Sequence, residues 1–234
     1  MKTLTKKILA LGLTATMAAG FATACTSEPS ETSVSADAGV TQGVSLGGWQ
    51  VENKAITEEQ AAFDKAMETI TGVNYEPFVL LASQVVSGTN YCYLCKATVV
   101  TPDAKPTYKL VYVYEDTAGN AEVLNIADLA LPGYTDGEAV GGWSYADSPA
   151  ITDEIEGIMD AVTGNLLGAS YEPVAVIGTQ VVSGTNYAIL CAITTVTENP
   201  VTNFEMVYVY ENLEGNCEIT STEAVDIAGL AVAN

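Results

Sequence analysis

The sequence predicts an α+β fold built twice: two tandem modules, each one helix wrapped by a four- or five-stranded antiparallel meander sheet. Three observations predict it. The first is an internal repeat. Gln84-Val-Val-Ser-Gly-Thr-Asn-Tyr91 returns unchanged at Gln180–Tyr187, and Val111-Tyr-Val-Tyr-Glu115 returns at Val207–Glu211, both 96 residues later. Tyr75-Glu76-Pro77 recurs as Tyr171-Glu172-Pro173 at the same offset, and Gly47-Gly48-Trp49 recurs as Gly141-Gly142-Trp143 two residues short of it. The second observation is one capped apolar stripe at helical spacing in each repeat. The third is a series of alternating apolar runs broken by short Gly- and Asn-bearing turns, the pattern of antiparallel strands in sequence order.

The elements are taken in chain order. Lys2, Lys6 and Lys7 precede an apolar run, Ile8 to Phe21, that ends in small residues, so residues 1–24 read as a secretory signal peptide. It is too short and too poorly flanked for a stable membrane-spanning helix. Residues 25–43 are Ser, Thr, Ala, Glu and Asp with almost no large apolar side chain, which predicts a flexible stalk. Module 1 then occupies 44–134 and module 2 occupies 135–234.

In module 1, Thr57-Glu58-Glu59-Gln60 reads as a capping box. Phe63, Met67 and Ile70 come next on one helical face, and Gly72 stands where a left-handed C-cap is wanted. In module 2, Thr152 caps, Asp153 and Glu154 favour the positive end of the helix, Ile151, Ile155, Ile158 and Val162 form the stripe, and Gly164 ends it. Four strands are expected after the first helix, over 78–86, 89–101, 107–115 and 121–128. Alternation places Tyr91, Tyr93 and Cys95 towards the helix. Lys109 and its counterpart Glu205 mark an outer face in the third strand. That leaves Tyr108, Leu110, Tyr112 and Tyr114 towards the helix and sends Val111 and Val113 outward, against the sister module.

Composition excludes several functions. The signal holds three of the eight basic residues, so the chain beyond it carries 29 acids against 5 lysines, a net charge of −24. A nucleic-acid backbone or an anionic lipid surface would repel such a chain. The sequence contains no His, which removes Ser-His-Asp and Cys-His catalysis and imidazole metal sites. Cys92-x-x-Cys95 lies within an expected strand and points to opposite faces, unlike a redox CxxC at the start of a helix. No catalytic residue, metal site or cofactor is expected, and the acidic surplus reads as a solvated surface.

A glycine pair, a helix, a strand ending in Gln-x-Val-x-Gly and a long strand beginning Thr-Asn-Tyr occur in this order in both repeats. This resembles the cystatins, particularly stefins and plant cystatins, and implies two cystatin-like modules. Cystatins block papain-like cysteine proteases without chemistry, by filling the cleft on both sides of the nucleophile with an apolar wedge of three segments. The resemblance implies protease contacts at Leu46 and Gly47, at Gln84, Val85, Val86, Ser87 and Gly88, and in the second repeat at Val140, Gly141, Gln180, Val181, Val182, Ser183 and Gly184. In the third segment, Asp116-Thr-Ala-Gly-Asn120 and Asn212-Leu-Glu-Gly-Asn216 depart from the Pro-Trp or Leu-Pro-Gly of the family. Only Leu213 offers a large apolar group there. Losing one aromatic anchor costs about 2 kcal/mol, roughly thirtyfold in affinity.

The end of the signal is similar to a bacterial lipobox, which implies acylation of Cys25 and a membrane-anchored protein on the bacterial surface. The alternative is an ordinary signal-peptidase site at Ala22-Thr23-Ala24 and a fully secreted chain. The expected function is therefore non-covalent, competitive inhibition of host or competitor papain-like proteases by a non-enzyme. The alternative is a non-inhibitory surface-binding or spacer module.

Overall fold

The computed structural model describes residues 47–134 and 141–232. The signal, the stalk, Cys25, Leu46 and Val140 lie outside them. The first repeat folds as β1 (Trp49–Lys54), α1 (Gln60–Met67), β2 (Val73–Val85), β3 (Gly88–Val99), β4 (Thr107–Asp116) and β5 (Ala121–Asp128). The second folds as β6 (Trp143–Tyr145), α2 (Asp153–Thr163), β7 (Ala169–Val182), β8 (Gly184–Thr195), β9 (Thr202–Asn212) and β10 (Cys217–Val225), closed by α3 (Ile227–Val232). Each repeat forms one five-stranded antiparallel sheet with its strands in chain order.

The expected α+β class is corrected. Among the described residues 54% are strand and 14% helix, and no sheet wraps a helix. The helices are three short segments, and the fold is mostly β. Each sheet is covered on one side by its sister and on the other by a short helix of its own repeat. The shared inter-sheet core joins Leu81, Leu94, Tyr108, Leu110 and Tyr112 to Ile177, Leu190, Phe204, Met206 and Tyr208. On the outer faces, Phe63 and Ala66 of α1 meet Leu80, Tyr93, Val111 and Val113. Ile155, Ile158 and Met159 of α2 meet Val176, Ile189, Val207 and Val209. Two covered faces explain why the middle strands show almost continuous burial rather than alternation with solvent.

The facing assigned to the third expected strand, now β4, is also corrected. Directly opposed residues of an antiparallel pair share a face. Val111 is opposite Tyr93, and Tyr112 is opposite Cys92. Since Tyr93 does face the helix, Val111 must as well, and Tyr108, Leu110 and Tyr112 turn to the sister sheet. Lys109 misleads because it lies on the helix side yet keeps its charge in an ion pair with Asp128, its cross-strand neighbour on β5.

The first helix starts later than the capping box implies. Thr57 gives no cap; the Glu59 carboxylate accepts from the Thr57 amide at 3.2 Å and pairs with Lys54 at 2.8 Å. The helix ends at Met67, and Gly72 takes its positive φ at the entry to β2. In α2, Thr152 caps as expected, accepting from the Ile155 amide at 3.4 Å. Gly164 comes after the helix with right-handed geometry.

The two sheets exchange their C-terminal segments. The residues after β5 cross onto the second sheet, where Leu131 occupies the space that a Cβ on Gly178 would need. Tyr145 Oη there donates to the Leu129 carbonyl at 3.0 Å. The residues after β10 cross onto the first sheet, where the buried Tyr112 hydroxyl donates to the Ile227 carbonyl at 2.9 Å. Asn125 Nδ2 donates to the Leu230 carbonyl at 2.7 Å. Tyr108, near the start of β4, adds a further tie by donating to the Ala146 carbonyl at 2.8 Å. Tyrosines suit such an interface: the ring fills the core and the hydroxyl satisfies a carbonyl that would otherwise be stranded.

Candidate functional site

In the first repeat, β2 and β3 join through a tight turn in which the Val86 amide donates to the Gly88 carbonyl at 3.0 Å. Gly88 has φ +151°, and a Cβ there would overlap the Glu115 carbonyl and lie 2.8 Å from Cε2 of Tyr114. Glycine is required because β4 runs directly beneath the turn. Tyr114 then closes over it, its hydroxyl donating to the Ser87 carbonyl at 3.0 Å. The strand end is tied to the chain entry by one side chain. Gln84 Nε2 donates to the Gly47 carbonyl at 2.7 Å while its Oε1 accepts from Asn90 Nδ2 at 2.7 Å. Trp49, next along β1, is buried and meets Tyr112 edge-on at 5.7 Å, which fixes where Gly47 and Gly48 emerge.

The third segment lies beside these two because Gly88 is opposite Asp116. Here the Asp116 carboxylate accepts from the Ala118 and Asn120 amides and from Asn120 Nδ2, each at 2.8 Å. The Asn120 side chain and these amides hold its carboxyl below the ordinary carboxylate range. Lys65 of α1 adds a bond from Nζ to the Gly119 carbonyl at 2.6 Å, pinning the turn to the helix. The acid at this tip is therefore occupied within its own turn.

The second repeat builds the same edge with its own atoms. Gln180 Nε2 donates to the Gly141 carbonyl at 2.8 Å and its Oε1 accepts from Asn186 Nδ2 at 2.7 Å. Tyr210 Oη donates to the Ser183 carbonyl at 2.7 Å, and a Cβ on Gly184 would overlap the Glu211 carbonyl. Asn212 replaces Asp116 as the turn acceptor, taking the Glu214 and Asn216 amides at 2.9 Å. The edges differ most in apolar surface at the third turn. Leu213, 84% exposed, stands where the first repeat has Thr117.

The hairpin valines are solvent-facing in both repeats: Val85 55%, Val86 44%, Val181 70% and Val182 46% exposed. Four β-branched side chains in water, two at each rigid turn, contribute nothing to the core. No described residue on either edge supplies a nucleophile beside a base. The thiols lie elsewhere. Cys92 faces the inter-sheet core and Cys95 the α1 side, as strand alternation requires, and burial pushes both upward in pKa. Cys191 is buried likewise, and Cys217 is half-exposed. Among the described residues no group of His, Cys, Asp and Glu could hold a metal ion. Two recesses lie off these edges, one of about 450 Å³ between the β3–β4 loop and β6, the other of about 280 Å³ beside Tyr208 and Glu223.

The structure thus brings Gly47, Gln84, Val85, Val86, Ser87 and Gly88 onto one edge, and Gly141, Gln180, Val181, Val182, Ser183, Gly184 and Leu213 onto another. The supporting residues Asn90, Asn186, Tyr114 and Tyr210 escape the sequence reading. Their signal is present, since Asn90 lies inside the repeated octamer and Tyr114 inside the repeated pentamer. Comparison with protein-family models and with curated proteins found no match to this chain.

Proposed function

We propose that each edge is a protein-binding surface that enters the active-site cleft of a papain-like cysteine protease and blocks it without covalent chemistry. The observation that carries this reading is the glutamine tie. In both repeats one side chain joins an emerging glycine segment to an exposed valine hairpin, so that two chain segments present one preformed apolar edge. Binding then needs little ordering of either segment, and the ordering that is avoided appears as affinity. Burial of a valine contributes about 1.5 kcal/mol or more when fully removed from water. Glycine at the entry lets backbone approach a catalytic thiol where a Cβ would collide. The motif resemblance to cystatins names the protease class. Acylation at Cys25 would hold the protein at the bacterial surface, where it meets host or competitor enzymes.

The test is a steady-state assay of papain with the full chain. Competitive inhibition at about micromolar concentration or below is expected. The variant V85D/V86D/V181D/V182D should lose it, because a carboxylate cannot be desolvated in an apolar cleft without a partner. Absence of inhibition by the parent chain at about 10 µM would refute the reading. The third turns favour a second reading, a non-inhibitory binding or spacer module, because Asp116–Asn120 offers no aromatic anchor. That module would bind its target with the four valines replaced.

A further inference from the structure

We propose that the recess between the end of β10 and the residues after β5 binds a small primary alkylammonium, held by Tyr208, Glu223 and Asp226. The site lies off both hairpin edges and stands independently of the protease reading.

The second repeat departs from the first at this place. Directly opposed residues share a face, and Tyr208 is opposite Ser221 while Met206 is opposite Glu223. Tyr208 and Met206 belong to the inter-sheet core, so Glu223 turns an acid towards that core from its edge strand. The equivalent pair in the first repeat is Leu110 and Ala127, both apolar and both packed in the core. The tyrosines differ too. Tyr112 donates to the Ile227 carbonyl, whereas the Tyr208 hydroxyl is buried with no hydrogen-bond partner among the described residues. Buried hydroxyls rarely stay in that state, and this one lines a recess from which a ligand can complete it.

The recess has the size and walls for a small molecule. About 280 Å³ lies over Tyr208, with Leu129, Val225 and Leu230 as apolar walls. That is just under the ~300–1,000 Å³ of drug-sized pockets, so the occupant is small. Three acids line it, and they are not equivalent. Asp128 is paired with Lys109. Asp226 is fixed by accepting the Gly229 amide at 2.9 Å through one oxygen. Glu223 makes no ion pair among the described residues.

These groups select a charged donor. Burial, and after it the Glu223 charge, push Tyr208 up to about 12, so the hydroxyl keeps its proton at neutral pH. It can accept one N–H and donate to a carboxylate. An ammonium brings three donors and no acceptor, which matches one hydroxyl and two carboxylates, and its alkyl stem suits the apolar walls. Carboxylates and phosphates would meet uncompensated acids. A bare metal ion fits poorly, because among the described residues no group of acids is close enough to hold one.

The experiment titrates the isotope-labelled full chain with n-pentylamine hydrochloride at neutral pH and follows amide shifts by NMR, with 1-pentanol as the uncharged control. Saturable shifts confined to residues 206–208 and 223–230 are expected, with a Kd on the order of 1 mM. Glu223→Gln should weaken binding about tenfold and Tyr208→Phe about fivefold. Tyr208→Phe should do so with Tm close to that of the parent, which a merely structural role would not allow. Four results would each overturn the site: no saturable shift below about 50 mM amine, shifts spread over the acidic surface, an equal response to 1-pentanol, or parent-like binding by both variants.

Discussion

Replacing Gly88 with alanine tests the claim that each hairpin is set by β4 or β9 running beneath it. The added Cβ would overlap the Glu115 carbonyl and meet the Tyr114 ring at 2.8 Å. Neither neighbour is free to move: the carbonyl belongs to a ladder strand, and the ring is held through its hydroxyl to Ser87. Relief needs a backbone shift of about 1 Å, and the positive φ adds strain of roughly 1–3 kcal/mol. Together these give a loss of about 2–4 kcal/mol, or about 5–15 °C in Tm for a domain of this size. Gly119 provides the control. It also has positive φ, at +77°, but a Cβ there meets nothing within 4 Å. Gly119→Ala should cost only about 1 kcal/mol. Differential scanning calorimetry of both variants checks the difference. A Gly88→Ala chain within about 0.5 kcal/mol of the Gly119→Ala chain would refute the steric argument.

Three further outcomes are expected. Tyr112→Phe should lose about 1–2 kcal/mol by stranding the Ile227 carbonyl, whereas Tyr208→Phe should be near neutral, because the Tyr208 hydroxyl is buried with no hydrogen-bond partner among the described residues; urea denaturation reads both, and equal losses would contradict the assignment. Burial pushes Cys92 and Cys191 up to about 12 from 9, and Tyr108 and Tyr208 up to about 12 from 10. Folded values above unfolded ones mean that this stabilisation is complete below about pH 9 and is lost as pH rises towards 12, so Tm should hold from pH 7 to 9 and then fall; a flat profile through pH 11 would contradict it. Leu213→Ala should weaken protease binding at the second edge about tenfold, measured in a V85D/V86D background, with no change in Tm.

The repeat is the most legible feature of the sequence, because identical octamers must build identical turns. The strands after each helix are legible from their apolar runs and turn residues, whereas the adjacency of Gly47 to Gln84 is an expectation of the cystatin resemblance alone. The fold class is not. A short apolar stripe such as Phe63 to Ile70 shows periodicity without showing length, and the Glu59–Lys54 pair delays the helix while Met67 ends it. The β4 facing is hidden for a related reason. Alternation says which residues share a face but not what covers that face, and both faces here are covered. Lys109 has the look of a solvent marker, yet a lysine at the end of a covered face can snorkel to Asp128. The segment exchange leaves no pattern to read, since Leu131 and Gly178 are matched only in space.

Hydrogen exchange, measured for the full chain alone and saturated with thiol-blocked papain, tests the two-edge binding surface most directly. Slowed amides are expected at 84–88 and 180–184 and around Gly47 and Gly141, with the helices unchanged. Protection confined to the helices or to β5 and β10, or complex formation without protection at either hairpin, would contradict it.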